Sequence, residues 1–489
     1  MLIFPDKKSF LKLSKEYNLI AFSYKFYTDW ITPVSLYYYL SKIFKKESFL
    51  LESIEGEEKI CRFSFLGFNP ILTFKSKANK VYITEDDNLN VYETNDPIFE
   101  LEKTFLKFKF ASKEKLRFVG GFVGYLGYDI IRFYEPIGKE LKDNLDTFDS
   151  YFILPKFLII FDHIKKEIGV LSFVRIDSDA KKIYKKERLE FENFISKIIK
   201  CKFNLKPLLF KKKKLKITSN FRKKDFLYAV KKIKDNIKNG EIIQAVLSQN
   251  FSVKFNGNPF DAYRYLRILN PSPYMFYLNF KDLKLAGSSP EMLLRCENKE
   301  LITRPIAGTR KRGENEVEDK NLENSLINDP KERAEHIMLV DLARNDLGRV
   351  AKKATVSVPV FMSIERFSFV MHIVSEVRAK LKENFSVFKA LINCFPAGTV
   401  SGAPKVRAMQ IINEFELQKR GIYAGCVCYF SFTNNLDSCI IIRTILFKDK
   451  KAYIQAGAGI VYDSRPIKEY FETINKARAQ ILALEYANK

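Results

Sequence analysis

The segment Cys439–Phe447 restricts the fold strongly, because it combines a strand pattern with one charge at its centre. Its β-branched residues and its period predict a strand over the whole segment. Arg443 would then share one strand face with the apolar side chains of Ile441, Ile445 and Phe447. An arginine on such a face needs an anionic partner or a route to water. A carboxylate ligand bound in bidentate fashion would satisfy that need, and so would a buried structural salt bridge.

Two further segments can present backbone N–H groups to an anion. A strand predicted after the turn at residues 448–451 ends in Ala456–Gly459, which we interpret as an anion-binding loop. This loop is not a GxGxxG turn, so it does not indicate a dinucleotide site. In the other segment, Arg304–Arg310, Gly308 allows close approach to the backbone. The amides of Gly308 and Thr309 and the Thr309 hydroxyl can donate hydrogen bonds there, although a plain strand-to-turn connection is the alternative.

Two predicted helices each present a Glu-x-x-Glu pair. The first begins at Asp329, a suitable capping residue, and carries Glu332 and Glu335 on one face. The second begins near residue 465 and presents Glu469 and Glu472 in the same way. Together the two faces could hold magnesium, with water in the remaining coordination positions. A solvated surface is the alternative for either pair alone, since the same spacing occurs elsewhere in the chain.

The histidine and cysteine content narrows the chemistry that a site can perform. Only three histidines are present, which nearly excludes a multi-histidine metal site and leaves carboxylates to hold any cation. The seven cysteines form no CxxC pair, and we expect them to be reduced and mostly buried. The chain also lacks a Walker loop and a nucleophile elbow. These features indicate a pocket for a small polyanionic substrate, with His372 as the one spare histidine.

Length, charge and hydropathy bear on the organisation, partners and compartment of the chain. Its 489 residues suggest two or three structural units. A net charge of +25 is compatible with a nucleic-acid partner. The basic residues are spread along the chain, however, so we attribute the charge to a lysine-rich proteome and expect no nucleic-acid partner. There is no uncharged apolar run of about 18 residues, and the first residues do not resemble a signal peptide. We therefore expect a cytoplasmic protein without a membrane contact.

Four segments together resemble the chorismate-utilising enzymes: Pro305–Thr309, Pro330–Arg349, Phe395–Lys405 and Gln455–Tyr462. This family includes anthranilate synthase component I, aminodeoxychorismate synthase component I and isochorismate synthase. The resemblance implies an α+β fold of twisted antiparallel sheets with outer helices, the chorismate-binding fold of anthranilate synthase. It also implies a catalytic domain over residues 220–489 and an N-terminal regulatory portion over residues 1–205, which would serve tryptophan feedback and partner contacts.

Three features are similar to the anthranilate synthase component I branch of the family. Ala307 stands where aminodeoxychorismate synthases carry a lysine that attacks the ring, and Gln244 stands where isochorismate synthases carry a lysine that activates water. Ammonia is already nucleophilic and needs neither group. The segments Leu50–Ser53 and Asn270–Met275 resemble the two halves of the family's tryptophan feedback site. The two sister enzymes are alternatives, as is a non-catalytic subunit that senses chorismate or tryptophan.

The resemblance also implies roles for individual residues. Glu291 would be the general acid for the hydroxyl that leaves carbon 4, and His372 would assist the elimination step. Gln244 and Thr309 complete the predicted catalytic set. The predicted contacts to the two carboxylates and the enolpyruvyl arm of chorismate are Gly308, Thr309, Tyr423, Arg443, Gly457, Ala458 and Gly459. The predicted contacts to tryptophan are Leu51, Glu52, Ser53, Asn270, Pro273, Tyr274 and Met275.

Magnesium and a second protein are further implications of the resemblance. The ion would neutralise the ring carboxylate of chorismate, and its predicted ligands are Glu335 and Glu472, with Glu332 and Glu469 in support. The chain shows no trace of a glutaminase, so a separate glutamine amidotransferase subunit would supply the ammonia. Two positions depart from the family pattern: Asn250 replaces a usual arginine, and Cys428 stands where glycine is common.

Overall fold

The computed structural model describes residues 2–53, 62–367 and 370–488. The α-helices are α1 Lys7–Leu13, α2 Pro33–Ile43, α3 Pro97–Leu106, α4 Ala180–Ile199, α5 Lys223–Lys238, α6 Pro259–Leu269, α7 Glu316–Ile327, α8 Pro330–Val350, α9 Val387–Cys394, α10 Lys405–Phe415, α11 Pro466–Lys476 and α12 Arg478–Ala487. The strands are β1 Leu19–Tyr27, β2 Ser48–Glu52, β3 Phe63–Lys77, β4 Lys80–Glu85, β5 Asn88–Glu93, β6 Phe110–Ala111, β7 Gly121–Leu126, β8 Ser150–Asp162, β9 Glu167–Arg175, β10 Thr218–Ser219, β11 Gln244–Lys254, β12 Tyr274–Phe280, β13 Leu283–Ser289, β14 Met292–Glu297, β15 Glu300–Thr303, β16 Ile306–Lys311, β17 Ser357–Arg366, β18 Val370–Lys380, β19 Gly402–Ala403, β20 Cys426–Ser431, β21 Leu436–Ile440, β22 Thr444–Lys448 and β23 Lys451–Ile460.

Two large sheets share the long strands β3 and β8. The first sheet runs through β1, β9, β8, β3, β2, β12, β13, β22, β23 and β11. The second leaves the N-terminal half of β8 and runs through β7, β20, β21, β14, β15 and β18. Each of these pairings is antiparallel, with helices packed against the sheets. The predicted α+β class with antiparallel sheets is therefore confirmed.

The N-terminal and C-terminal parts of the chain share both sheets. β2 pairs with β12 over Ser48–Glu52, and β7 pairs with β20 over Gly121–Leu126. The two parts are consequently interwoven through backbone hydrogen bonds. Residues 206–217, between the two predicted portions, contain no helix or strand. The functional boundaries at residues 205 and 220 stay a prediction.

Helix starts follow the local sequence closely at the two positions that matter for the site. Asp329 caps α8 by accepting hydrogen bonds from the amides of Lys331 and Glu332, and Pro330 occupies the first turn. α11 begins at Pro466, one residue after Arg465. α5 runs from Lys223 to Lys238 and buries Phe226, Ala229, Val230 and Ile233, which recur at helical spacing.

The prediction of one continuous strand from Cys439 to Phe447 was wrong. β21 ends at Ile440 and β22 begins at Thr444, and Arg443 between them has a positive φ of 53°. The reason is non-local, because β21 pairs within the second sheet and β22 pairs within the first. The chain must turn between the two sheets, which no local strand preference can show.

The interpretation of Ala456–Gly459 as a loop was also wrong. These residues lie inside β23, where Gly457 pairs with Ser248 and Gly459 pairs with Val246 of β11. The small side chains are needed because other groups approach this strand closely.

The cysteines of the described residues behave as expected. The six at positions 201, 296, 394, 426, 428 and 439 are free and buried, and Cys61 lies outside the described residues. No helix in the described part of the chain combines the length and the hydropathy that a membrane span requires.

Candidate active site

A cavity of about 530 Å³ lies between helices α8 and α11 and the two sheets. It brings together nearly all of the predicted catalytic, substrate-binding and metal-binding residues: Gln244, Glu291, Gly308, Thr309, Glu332, Glu335, His372, Tyr423, Arg443, Gly457, Gly459, Glu469 and Glu472. Ala458 is the exception, because its side chain lies in an apolar cluster with Ala245 and Leu247 on the other face of the strand.

Glu291 and Arg443 enter the cavity at breaks in two adjacent strand pairs. Glu291 lies between β13 and β14, and Arg443 lies between β22 and β21. β13 pairs with β22 and β14 pairs with β21, so the two breaks face each other where the sheets diverge. Each break turns one charged or acidic side chain out of the sheet and into the space between the sheets.

Arg443 is a half-buried cation without a carboxylate partner among the described residues. No carboxylate oxygen of the described residues lies within ion-pair distance of its guanidinium, which donates one hydrogen bond to the backbone carbonyl of Lys476. Burial lowers the pKa of Arg443, and Tyr423 and Glu472 oppose that shift. The sequence left open either a bound carboxylate ligand or a buried salt bridge for Arg443, and the described residues provide no such salt bridge. The remaining N–H groups suit an anionic ligand.

Glu291 is a buried acid that lines the cavity. Its side chain is buried, with 8% of the residue exposed. Burial raises the pKa of its carboxyl to about 7, against the opposing effects of the nearby Thr399 and Lys476. A carboxyl of this kind is still partly protonated near neutral pH and can protonate a leaving group.

A bulge in β16 presents Gly308 and Thr309 next to His372. Gly308 has a φ of +67°, and the pairing of β16 with β18 shifts register between Ala307 and Arg310. The carbonyl oxygen of Gly308 lies 2.9 Å from Nδ1 of His372, so that nitrogen must carry the proton. Burial lowers the pKa of His372, and the Gly308 hydrogen bond opposes the shift. The neutral ring then keeps Nε2 free to accept a proton.

The glycines of β23 leave room for two polar side chains. A Cβ atom on Gly459 would lie 2.5 Å from the amide nitrogen of Gln244, and one on Gly457 would lie 2.9 Å from the Tyr423 hydroxyl. Gln244 is buried, and its amide oxygen has no hydrogen-bond partner among the residues that the structure describes. Burial raises the pKa of Tyr423 to about 12, so the phenol remains a neutral hydrogen-bond donor.

The four predicted metal-binding glutamates line one side of the cavity. Burial raises the pKa of Glu335, and repulsion from Glu332 and Glu472 adds to the rise. Burial and Glu472 likewise raise the pKa of Glu469. Within residues 2–53, 62–367 and 370–488, no three potential ligands already meet at a common point. The all-carboxylate donor set and its mutual repulsion nevertheless fit a divalent cation such as magnesium.

Sequence reasoning missed Lys476, which follows Glu472 by one helical turn. Its ammonium group lies 2.6 Å from a Glu472 oxygen and donates to the carbonyl of Gly457 at 3.1 Å. The i, i+4 spacing from Glu472 was the available signal. Gln455 also lines the cavity without having been predicted, and its side chain accepts a hydrogen bond from the Asn250 amide at 3.3 Å.

The comparisons with known proteins identify the family. The sequence profile described as chorismate binding enzyme matches residues 46–482. The chain belongs to this family. Anthranilate synthase component 1 from Acetivibrio thermocellus is 45% identical over 100% of both chains, and that from Aquifex aeolicus is 46% identical over 98% of this chain and 97% of its own. The crystal structure of anthranilate synthase component I from Streptococcus pneumoniae matches with a TM-score of 0.77 and 38% identity, covering 88% of this chain and 93% of that one.

These full-length relatives confirm the resemblance inferred from the sequence motifs. They also place this chorismate-binding enzyme beside anthranilate synthase component 1 within the family. The roles of the individual residues remain predictions, because a match over the whole chain does not test them.

This chorismate-binding enzyme has a second pocket between β2, β12, β14, β20 and β21. It brings together most of the predicted tryptophan contacts: Leu51, Glu52, Ser53, Pro273, Tyr274 and Met275. Asn270 does not line it and instead donates to the Ser288 hydroxyl at 2.8 Å. Cys428 does line it, so the departure from glycine places a side chain in the pocket wall.

The second pocket contains a buried polar group of its own. Asp437 lies 3.0 Å from the Arg295 guanidinium and accepts a hydrogen bond from the Tyr274 hydroxyl at 3.0 Å. Glu52 is held at the pocket edge, where it accepts from Tyr263 at 2.6 Å. Burial raises the pKa of Glu52, with Arg267 opposing the shift. The pocket therefore combines apolar walls with charged side chains that are paired within the protein.

Proposed function

We propose that this chain is the catalytic component of an anthranilate synthase, a lyase that converts chorismate and ammonia to anthranilate, pyruvate and water. One observation carries the proposal: the half-buried guanidinium of Arg443, without an ion pair among the described residues, lies at a strand break facing that of the buried acid Glu291. Chorismate has two carboxylates and a leaving hydroxyl. An anion-binding group and a proton donor in one cavity are therefore what its chemistry needs.

Substrate binding would use the polar groups of both sheets. Arg443 and the Tyr423 hydroxyl would bind the carboxylate of the enolpyruvyl arm, while the Gly308–Thr309 bulge would donate to the ring carboxylate. A magnesium ion held by Glu335 and Glu472, with Glu332 and Glu469 in support, would supply positive charge to the ring carboxylate. These contacts fix the ring relative to Glu291 before any bond changes.

The first chemical step would exchange the hydroxyl for an amino group. Glu291 donates its proton to the hydroxyl at carbon 4, which leaves as water as the ring double bonds shift and ammonia adds at carbon 2. Gln244 can accept a hydrogen bond from ammonia through its free amide oxygen. Ala307 offers no amine to compete for the ring.

The second step would make the product aromatic. The proton on carbon 2 is removed, the bond between ring carbon 3 and the enolpyruvyl oxygen breaks, and the released enol becomes pyruvate. His372 can take up that proton at Nε2, because its Nδ1 hydrogen bond to Gly308 fixes the neutral tautomer. The aromatic ring of anthranilate makes the step irreversible in practice.

The direct test is an assay of the purified chain with chorismate, magnesium and an ammonium salt, followed by anthranilate fluorescence. The expected result is anthranilate and pyruvate in equal amounts. Aminodeoxychorismate or isochorismate as the product would assign the chain to a sister activity. No consumption of chorismate, with chorismate still bound, would indicate a sensing subunit.

Regulation and partnership are part of the same proposal. The second pocket would bind tryptophan and inhibit the reaction, because its paired charges and apolar walls match a zwitterion with an aromatic side chain. A separate glutamine amidotransferase subunit would provide ammonia in the cytoplasm. Glutamine should therefore support anthranilate formation in place of ammonium salts only after that subunit is added. The rate of glutamine-dependent anthranilate formation then measures whether the two subunits act together.

A further inference from the structure

Gln480 is a fully buried polar side chain that the proposed reaction does not use. It lies near the start of α12, has no solvent-exposed surface and borders the main cavity. Among the residues that the structure describes, neither its amide nitrogen nor its amide oxygen has a hydrogen-bond partner. Buried amides in folded proteins are normally paired, because an unmade hydrogen bond leaves their desolvation uncompensated.

Gln249 provides a comparison within the same region. It is equally buried, yet its amide nitrogen donates to the Thr473 hydroxyl at 2.6 Å and its oxygen accepts from Ser219 at 2.6 Å. Gln249 does not line the cavity. Of these two buried glutamines, the one away from the cavity is paired, and the one that borders the cavity has no partner among the described residues.

The location of Gln480 points to the part of a ligand that it would contact. Arg443 donates to the carbonyl of Lys476 at the junction of α11 and α12, one helical turn before Gln480. Arg443 and Gln480 therefore lie at the same end of the cavity. A carboxylate bound by Arg443 would have further lone pairs available, and the glutamine amide can donate to one of them after a rotation of its side chain.

We propose that Gln480 is a further substrate-positioning residue, which donates from its side-chain amide to the carboxylate that Arg443 binds. This inference rests on the proposed function, since it assumes that the anion is a carboxylate of chorismate. It predicts that the residue contributes to affinity and orientation, while the bond-changing steps depend on other groups.

The test compares Gln480→Leu, Gln480→Glu and the control Gln249→Leu. Gln480→Leu should raise the KM for chorismate by about tenfold with kcat within about twofold, because one hydrogen bond to a charged group is lost. The same variant should melt at a higher temperature than the parent without ligand, because an unpaired buried amide has been removed. Gln480→Glu should raise KM further, since its carboxylate repels the substrate and pairs with Arg443.

The control variant separates affinity from folding. Gln249→Leu should lower the melting temperature, because it removes the hydrogen bonds of Gln249 to the buried Thr473 hydroxyl and to the Ser219 hydroxyl, and it should leave KM unchanged. An unchanged KM in both Gln480 variants would overturn the assignment, and so would a lower melting temperature of Gln480→Leu with a parental KM. If the parent chain neither binds nor consumes chorismate, the proposed function itself fails. That result is distinct from a parent that binds chorismate and a variant that binds it equally well.

Discussion

Glu291 and Arg443 are held together by backbone hydrogen bonds that cross two matched strand breaks. The amide of Ile440 donates to the Glu291 carbonyl at 3.1 Å, and the amide of Ser288 donates to the Arg443 carbonyl at 3.2 Å. These hydrogen bonds fix the backbones of Glu291 and Arg443 relative to each other. If Glu291 donates the proton and Arg443 binds a carboxylate, as proposed, the two groups would need little reorganisation when a substrate binds.

Replacing Arg443 should weaken substrate binding more than it changes the fold. We expect Arg443→Met to raise the KM for chorismate by about a hundredfold, because a charge-assisted contact to a carboxylate is lost. Arg443→Lys should fall between the parent and Arg443→Met, since a lysine retains the charge without the planar fork. Steady-state kinetics measure the effect, and circular dichroism checks the fold. A parental KM in Arg443→Met would contradict the assignment.

The pKa of Glu291 predicts how activity depends on pH. Because the acid must be protonated and its pKa is raised to about 7 by burial, kcat/KM should fall as pH increases through that value. Rates must be expressed per concentration of unprotonated ammonia. Glu291→Gln should lower kcat by about a hundredfold to ten-thousandfold. The fall of kcat/KM with rising pH should also disappear in this variant. A Gln variant with parental kcat would exclude the acid role.

The same pKa also predicts the pH dependence of stability. A carboxyl whose pKa rises from 4.5 to about 7 on folding destabilises the folded state once it ionises, and the full effect is about 3 kcal/mol. The parent should therefore lose free energy of unfolding between pH 4.5 and pH 8, relative to Glu291→Gln. Urea titrations at pH 5 and pH 8 measure the difference. Equal losses in the two proteins would show that Glu291 ionises as freely as in the unfolded chain.

Replacing one glutamate of the predicted magnesium site should abolish both the activity and its dependence on magnesium. Glu472→Gln is expected to weaken magnesium binding by roughly a hundredfold, comparable to the loss of a coordinating or supporting group. Calorimetric titration with magnesium gives the affinity, and chelation of the parent with EDTA should reproduce the loss of turnover. The exposed Glu383 offers a matched control. Full activity of Glu472→Gln with magnesium bound would refute the predicted ligand.

Changes in the second pocket should separate inhibition from catalysis. We expect Ser53→Ala or Met275→Thr to weaken tryptophan inhibition while the uninhibited rate stays near that of the parent. Both residues line the second pocket, and neither borders the main cavity. Inhibition curves at saturating chorismate provide the measurement. Identical curves for the parent and both variants would show that tryptophan does not bind there.

The sequence by itself determined the local features of this protein. Asp329 and Pro330 specify the start of α8, and the glutamate spacings on α8 and α11 follow directly from the helical repeat. The combination of conspicuous motifs was sufficient for the family and the fold class. Such features depend on neighbours within a few residues, so they can be predicted from the sequence alone.

The tertiary structure decided the features that depend on distant partners. The break at Arg443 exists because β21 and β22 pair in different sheets, and Gly457–Gly459 form a strand because β11 lies alongside them. Strand pairing satisfies backbone groups across hundreds of residues, and this can override local preference. The unpaired amide of Gln480 likewise became visible only once packing showed which buried groups have partners and which face the cavity.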